Sequence, residues 1–181
     1  MKHHLVLVGL PGAGKSTVGR LAADRLGCPF MDIDEMITQA SGQSVATIFA
    51  TRGESVFREL EREAMAELLE REPMVIATGG GWAAQPGNLL AAEPRAVLVY
   101  LTVSPETAAT RLGGSGDRPL LAGRDPREML QQMLRSREPC YRQAALEVDG
   151  EAGLDRKVGG CIPILQGSSL GDTHPRPAGY W

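Results

Sequence analysis

Gly9-Leu10-Pro11-Gly12-Ala13-Gly14-Lys15-Ser16 is the stretch on which the reading of this chain turns. It fits G-x-x-x-x-G-K-[ST], a loop whose successive backbone N–H groups curl around phosphate oxygens. Lys15 has the reach for the β- and γ-phosphates, and the Ser16 hydroxyl suits Mg²⁺. The flanks agree. Leu5-Val6-Leu7-Val8 is an apolar run suited to a buried parallel strand. After the loop, Val18, Leu21, Ala22 and Leu26 recur at helical spacing. Strand, loop and helix N-terminus together turn a helix dipole toward a phosphate.

Outward from this loop, strand-like runs alternate with amphipathic stretches, the pattern of a parallel α/β sheet. Strands are expected at Leu5–Val8, Pro29–Asp32, Met74–Ala77, Ala96–Leu101 and Leu146–Asp149. Helices are expected at Lys15–Leu26, Asp34–Ala40, Val45–Thr51, Glu54–Arg71, Pro105–Leu112 and Pro126–Arg142. In the fourth of these, Phe57, Leu60, Ala64 and Leu68 form an apolar stripe, with Glu61, Arg62 and Glu67 off it. Residues 113–124 carry four glycines and Pro119, which forbid a regular element. Arginines there suggest a lid over a nucleotide; a plain surface loop is the alternative. From Gly150 onward glycines and prolines interrupt every pattern. The tail, residues 151–181, is therefore expected to be loose, with at most a short apolar anchor at Cys161–Leu165.

The 181 residues suit one domain, and 43% hydrophobic content allows a real core. A net charge of −3 argues against a general nucleic-acid surface, so positive charge must concentrate where an anion binds. Cys28, Cys140 and Cys161 show no metal-like or paired spacing, which fits reduced cytoplasmic thiols. No run is long enough to span a bilayer, and a cleaved leader would take the phosphate loop with it. His3 and His4 read as solvated terminal residues rather than a metal site. The absence of an interface stripe points to a monomer.

Several residues carry chemistry. Alternation along the second strand would put Asp32 and Asp34 on one side, at its carboxyl end. Asp32 could hold Mg²⁺, and Asp34 could orient and deprotonate an acceptor hydroxyl. The bland alternative, that either merely caps the next helix, loses weight beside a phosphate loop. Gly79-Gly80-Gly81 ends the third strand; bare amides there could donate to a hydroxyl or carboxylate, or simply make a tight turn. Arg58 and Arg137 offer planar forks for a carboxylate. Arg111 could stack on adenine, or make an ordinary surface pair.

In order along the chain, these motifs resemble shikimate kinase over about Leu5–Asp149. They comprise Gly12-Ala13-Gly14-Lys15-Ser16-Thr17-Val18-Gly19-Arg20, Asp32-Ile33-Asp34, Ser41-Gly42-Gln43-Ser44-Val45-Ala46-Thr47-Ile48-Phe49 and Phe57-Arg58-Glu59-Leu60-Glu61. Gly79-Gly80-Gly81, Arg118-Pro119-Leu120-Leu121 and Arg137-Glu138-Pro139-Cys140-Tyr141 complete them. The resemblance implies a three-layer α/β/α nucleoside-monophosphate-kinase-like fold with a five-stranded parallel sheet. It implies ATP- and Mg²⁺-dependent phosphorylation of the shikimate 3-hydroxyl, a step toward aromatic amino acids. Gly12 to Thr17, with Arg111 and Arg118, would take the nucleotide, and Ser16 and Asp32 the metal. Asp34 would be the base, with Lys15 and Arg118 steadying the transferred group. Arg58, Arg137 and the three glycines would hold the acceptor. The tail departs from the family, which ends on a nucleotide-contacting loop and a final helix. A gluconate-type sugar-acid kinase and a non-catalytic nucleotide-binding module are the competing readings.

Overall fold

A computed structural model describes residues 2–113 and 125–162. Five strands form one parallel sheet: β1 (His4–Val8), β2 (Phe30–Asp32), β3 (Val75–Ala77), β4 (Ala96–Thr102) and β5 (Leu146–Asp149). Their order is β2-β3-β1-β4-β5. The phosphate-loop strand β1 is thus central, between β3 (Leu5 beside Val75) and β4 (Leu5 beside Val97). Every residue of β1 and β3 is buried, which explains why both read as unbroken apolar runs.

The six expected helices are all present: α1 (Lys15–Leu26), α2 (Ile33–Ser41), α3 (Val45–Arg52), α4 (Glu54–Leu69), α6 (Pro105–Leu112) and α7 (Pro126–Tyr141). Between β3 and β4 lie a 3-10 turn over Trp82–Ala84 and the short α5 (Asn88–Ala92), neither of which the periodicity signals. Five residues are too few to show a helical repeat. Trp82, Tyr141, Leu130, Ile33 and Ile48 are among the largest fully buried side chains around the sheet.

The chain after Gly150 corrects the expectation of a loose tail as far as Ile162. Helix α8 (Leu154–Cys161) forms there. It buries Val158 and Cys161, and Gly160 lies against the Val148 side chain of β5. Two bonds fix its approach: Gly150 N–H donates to Thr102 O at 2.9 Å, and Glu151 Oε1 accepts from Ser104 N at 2.9 Å. The Ser104 donors hold the Glu151 carboxyl down to about 2. Gly159 and Gly160 hide this helix in the sequence, because two glycines weaken intrinsic helicity by about 2 kcal/mol relative to alanine. Tertiary burial overrides that preference. The remainder of the tail, 163–181, and the expected lid from residue 114 to 124 lie outside the described residues.

His4 is a second correction. It is buried on β1, not solvated, and its Nδ1 accepts from Met74 N at 3.3 Å. Burial holds its pKa below the ordinary histidine value. No described helix is long and apolar enough to cross a membrane.

Candidate active site

The site is built at the carboxyl ends of the central strands. Gly12 (φ 82°) and Gly14 (φ 91°) take left-handed backbone that side chains disfavour. A Cβ on Gly12 would also stand 2.7 Å from Ala108 O. No side chain caps α1, so its first amides remain available for an anion. Lys15 is buried, and its ammonium donates to Gly9 O at 2.9 Å and Leu10 O at 2.8 Å, which holds the cation inside the loop. Ala13 is buried, Ser16 half-buried and Thr17 exposed.

Asp32 meets the end of the loop at Ser16 and Asp34 lies near Gly79, but not by strand alternation. β2 ends at Asp32, and Asp34 already lies in the first turn of α2. Asp32 Oδ1 caps that helix, accepting from Asp34 N at 3.0 Å and Glu35 N at 3.4 Å. Its Oδ2 accepts from Ser16 Oγ at 2.6 Å. The cap that the sequence offered as the alternative thus uses one oxygen of the carboxylate and leaves the other beside Ser16. The Ser16–Asp32 pair supplies two adjacent hard oxygen donors, which suits Mg²⁺. Among the described residues no three His, Cys, Asp or Glu side chains cluster as a further metal site.

The three glycines after β3 unite the rest. A Cβ on Gly79 would collide with Glu61 Oε1 and stand 3.0 Å from Asp34 Oδ1. One on Gly80 would stand 2.5 Å from Pro11 Cδ, so the turn abuts the phosphate loop. One on Gly81 would strike the Arg58 guanidinium, 2.6 Å from Cζ. Arg137 Nη1 donates to Gly80 O at 3.2 Å. Close approach, more than a tight turn, is what requires glycine here. Both expected carboxylate forks, Arg58 on α4 and Arg137 on α7, thus flank one peptide.

Glu61 is the residue that sequence patterning misplaced. It is fully buried, not off the packed face of α4. Its Oε2 accepts from Arg58 Nη1 at 2.6 Å, while Oε1 has no hydrogen-bond partner among the described residues. Burial pushes the Glu61 carboxyl up to about 7, against the opposing pull of Arg58; Asp34 nearby pushes the same way as burial. The only available signal was the three-residue spacing of Arg58 and Glu61. The Arg58 guanidinium also lies 5.8 Å from the Phe49 ring centre and 5.6 Å from that of Phe57.

Arg111, expected at the adenine, reaches the back of the phosphate loop. It donates to Gly12 O (3.3 Å), Ala13 O (3.4 Å) and Gly150 O (2.9 Å). Arg118 lies outside the described residues.

A family model described as shikimate kinase matches residues 11–159. The chain belongs to the shikimate kinase family. It is 46% identical over 141 residues to the shikimate kinase of Paracidovorax citrulli, covering 77% of each chain. It is 44% identical over 149 residues to that of Moorella thermoacetica, covering 82% of this chain and 86% of the other. Among solved structures, shikimate kinase from Acinetobacter baumannii in complex with shikimate superposes with a TM-score of 0.87 at 34% identity, over 93% of this chain and 96% of that one. A gluconokinase from Sinorhizobium meliloti gives a TM-score of 0.56 at 19% identity, over 89% of this chain and 90% of that one, a likeness of fold alone. Membership of the family agrees with the α/β fold, the five-stranded parallel sheet and the ATP- and Mg²⁺-dependent kinase chemistry that the motifs imply.

Proposed function

We propose that the Gly79–Gly81 turn is the floor on which shikimate sits while its 3-hydroxyl takes the γ-phosphoryl group of ATP. One observation carries this: a single turn touches Asp34, Arg58, Arg137 and the phosphate loop at Pro11. Acceptor and donor sites that share a wall place the reacting oxygens side by side. Phosphoryl transfer requires alignment and charge neutralisation more than covalent help.

Arg58 and Arg137 grip the substrate carboxylate from two sides of the glycine turn. Asp34 accepts the proton of the 3-hydroxyl as its oxygen bonds to phosphorus and the bond to the ADP oxygen breaks. The Gly12–Thr17 amides and Lys15 hold the triphosphate, and we assign Arg118 to the same phosphates. Ser16 and Asp32 would hold Mg²⁺, which supplies charge neutralisation across the phosphates. Arg111 braces the loop carbonyls beside the adenine side of the site. We place the enzyme in the cytoplasm as a monomer with no nucleic-acid or membrane partner, acting on the way to aromatic amino acids. We take residues 1–150 as the catalytic unit, with α8 (Leu154–Cys161) packed against it.

ADP release should be measured with shikimate, gluconate and nucleoside monophosphates in turn. Release with shikimate alone is expected. Release with gluconate would favour the sugar-acid reading, and ATP binding without release in any case the non-catalytic one.

A further inference from the structure

Arg137 and Tyr141 stand four residues apart on α7, so they face the same way. Both aim at one atom. The Tyr141 hydroxyl and Arg137 Nη1 each donate to Gly80 O. A carbonyl oxygen has two lone pairs, and these two donors can fill both. The two side chains differ in what else they do. Arg137 is needed for the substrate carboxylate and must share its hydrogen bonds with it. Tyr141 is fully buried, its ring packed against Tyr100 with centres 5.2 Å apart, and its hydroxyl also meets the Arg137 side chain. Burial pushes its phenol up to about 12, so it remains a donor at any working pH.

A glycine on each side leaves the Gly80–Gly81 peptide free to rotate unless something fixes it. The peptide is planar, and there is no cis bond among the described residues. Gly80 O points to α7, so the Gly81 N–H points away from α7. Among the described residues, no backbone carbonyl accepts from the N–H of Gly79, Gly80 or Gly81, although Gly79 and Gly81 are buried. Such amides are costly to leave unpaired and are suited to a ligand.

We infer that Tyr141 is a positioning residue for the acceptor: its hydroxyl fixes the Gly80–Gly81 peptide plane and so aims the Gly81 amide at the substrate. The inference rests on the reading that this turn holds shikimate. It assigns Tyr141 no contact with substrate. Its effect falls on acceptor binding and leaves the nucleotide site alone.

The test is steady-state kinetics of Tyr141→Phe, with Tyr100→Phe as a control for the ring stack, alongside thermal melts. Tyr141→Phe keeps the ring and removes the donor. The shikimate KM is expected to rise about three- to tenfold, the yield of one hydrogen bond, with kcat within twofold and the ATP KM unchanged. Tyr100→Phe should leave the shikimate KM alone. An unchanged shikimate KM in Tyr141→Phe overturns the inference. So does an ATP KM that rises by the same factor, or a Tyr141→Phe protein that does not fold, since each marks a general packing role. Wild-type turnover in the same assay tests the parent reading separately.

Discussion

Arg58 Nη1 lies 2.6 Å from Glu61 Oε2, and the carboxylate it meets is entirely shut off from solvent. The cation we assign to the substrate carboxylate is therefore already held by a carboxylate of the protein. Replacing Arg58 removes two things at once: a substrate contact and the counter-charge of a buried acid. Arg137 makes no hydrogen bond to that acid; it acts on Glu61 only as the smallest of the electrostatic influences and donates instead to Gly80 O.

The two arginines should accordingly separate. Arg58→Ala and Arg137→Ala are both expected to weaken shikimate binding by about 2–5 kcal/mol in calorimetry on nucleotide-saturated enzyme. In urea unfolding, Arg58→Ala should also lose about 3–5 kcal/mol of stability, the penalty for stranding a buried partner. Arg137→Ala should lose far less. Equal losses of stability would contradict the asymmetry.

Glu61 makes stability depend on pH. Its carboxyl is raised from 4.5 to about 7 in the folded chain, so between these values the folded state binds more protons than the unfolded state. Its contribution is complete below about pH 4.5 and is lost as pH rises through 7. The amount is about 3 kcal/mol, from a shift of that size. Glu61→Gln removes the titration. Stability of wild type minus that of Glu61→Gln should fall across this window and flatten above it. Parallel curves would show that Glu61 does not titrate there.

Lys15→Ala should reduce kcat by about 10²–10³-fold, the scale for removing one preorganised positive partner of a developing charge. Circular dichroism should show the fold retained, because Lys15 donates to loop carbonyls and not to the core. Near-normal turnover would remove Lys15 from the mechanism.

Asp32→Asn distinguishes cap from ligand. Asparagine still caps a helix, so α2 and the melting temperature should survive. The Mg²⁺ concentration needed for half-maximal rate should rise severalfold, because a neutral amide is a weaker ligand than a carboxylate. A lowered melting temperature with unchanged Mg²⁺ dependence would mean that the helix cap is its whole role.

Much of the fold was legible because its signals are local. β1 and β3 are unbroken apolar runs, and α1 begins where the glycines end. The strands were placed to within a residue of Phe30–Asp32 and Val75–Ala77. Helix α8 was not legible, since Gly159 and Gly160 speak against a helix that tertiary burial of Val158 and Cys161 sustains. The ordered motifs marked Asp34, Arg58 and Arg137 as candidates, and the fold brings all three to the Gly79–Gly81 turn. Glu61 was hidden because a charged residue reads as solvated, and its three-residue spacing from Arg58 does not reveal that the pair is buried. The relation of Asp32 to Asp34 was misread for a related reason: the strand stops two residues earlier than alternation requires.

Arg111 binds carbonyls of two segments far apart in the chain, Gly12 and Ala13 on one side and Gly150 on the other. Whatever displaces the segment after β5 is thereby felt at the triphosphate cradle. Resistance to a compound that competes with the nucleotide is accordingly expected to arise from substitutions at Gly150 or in α8, well away from the compound itself.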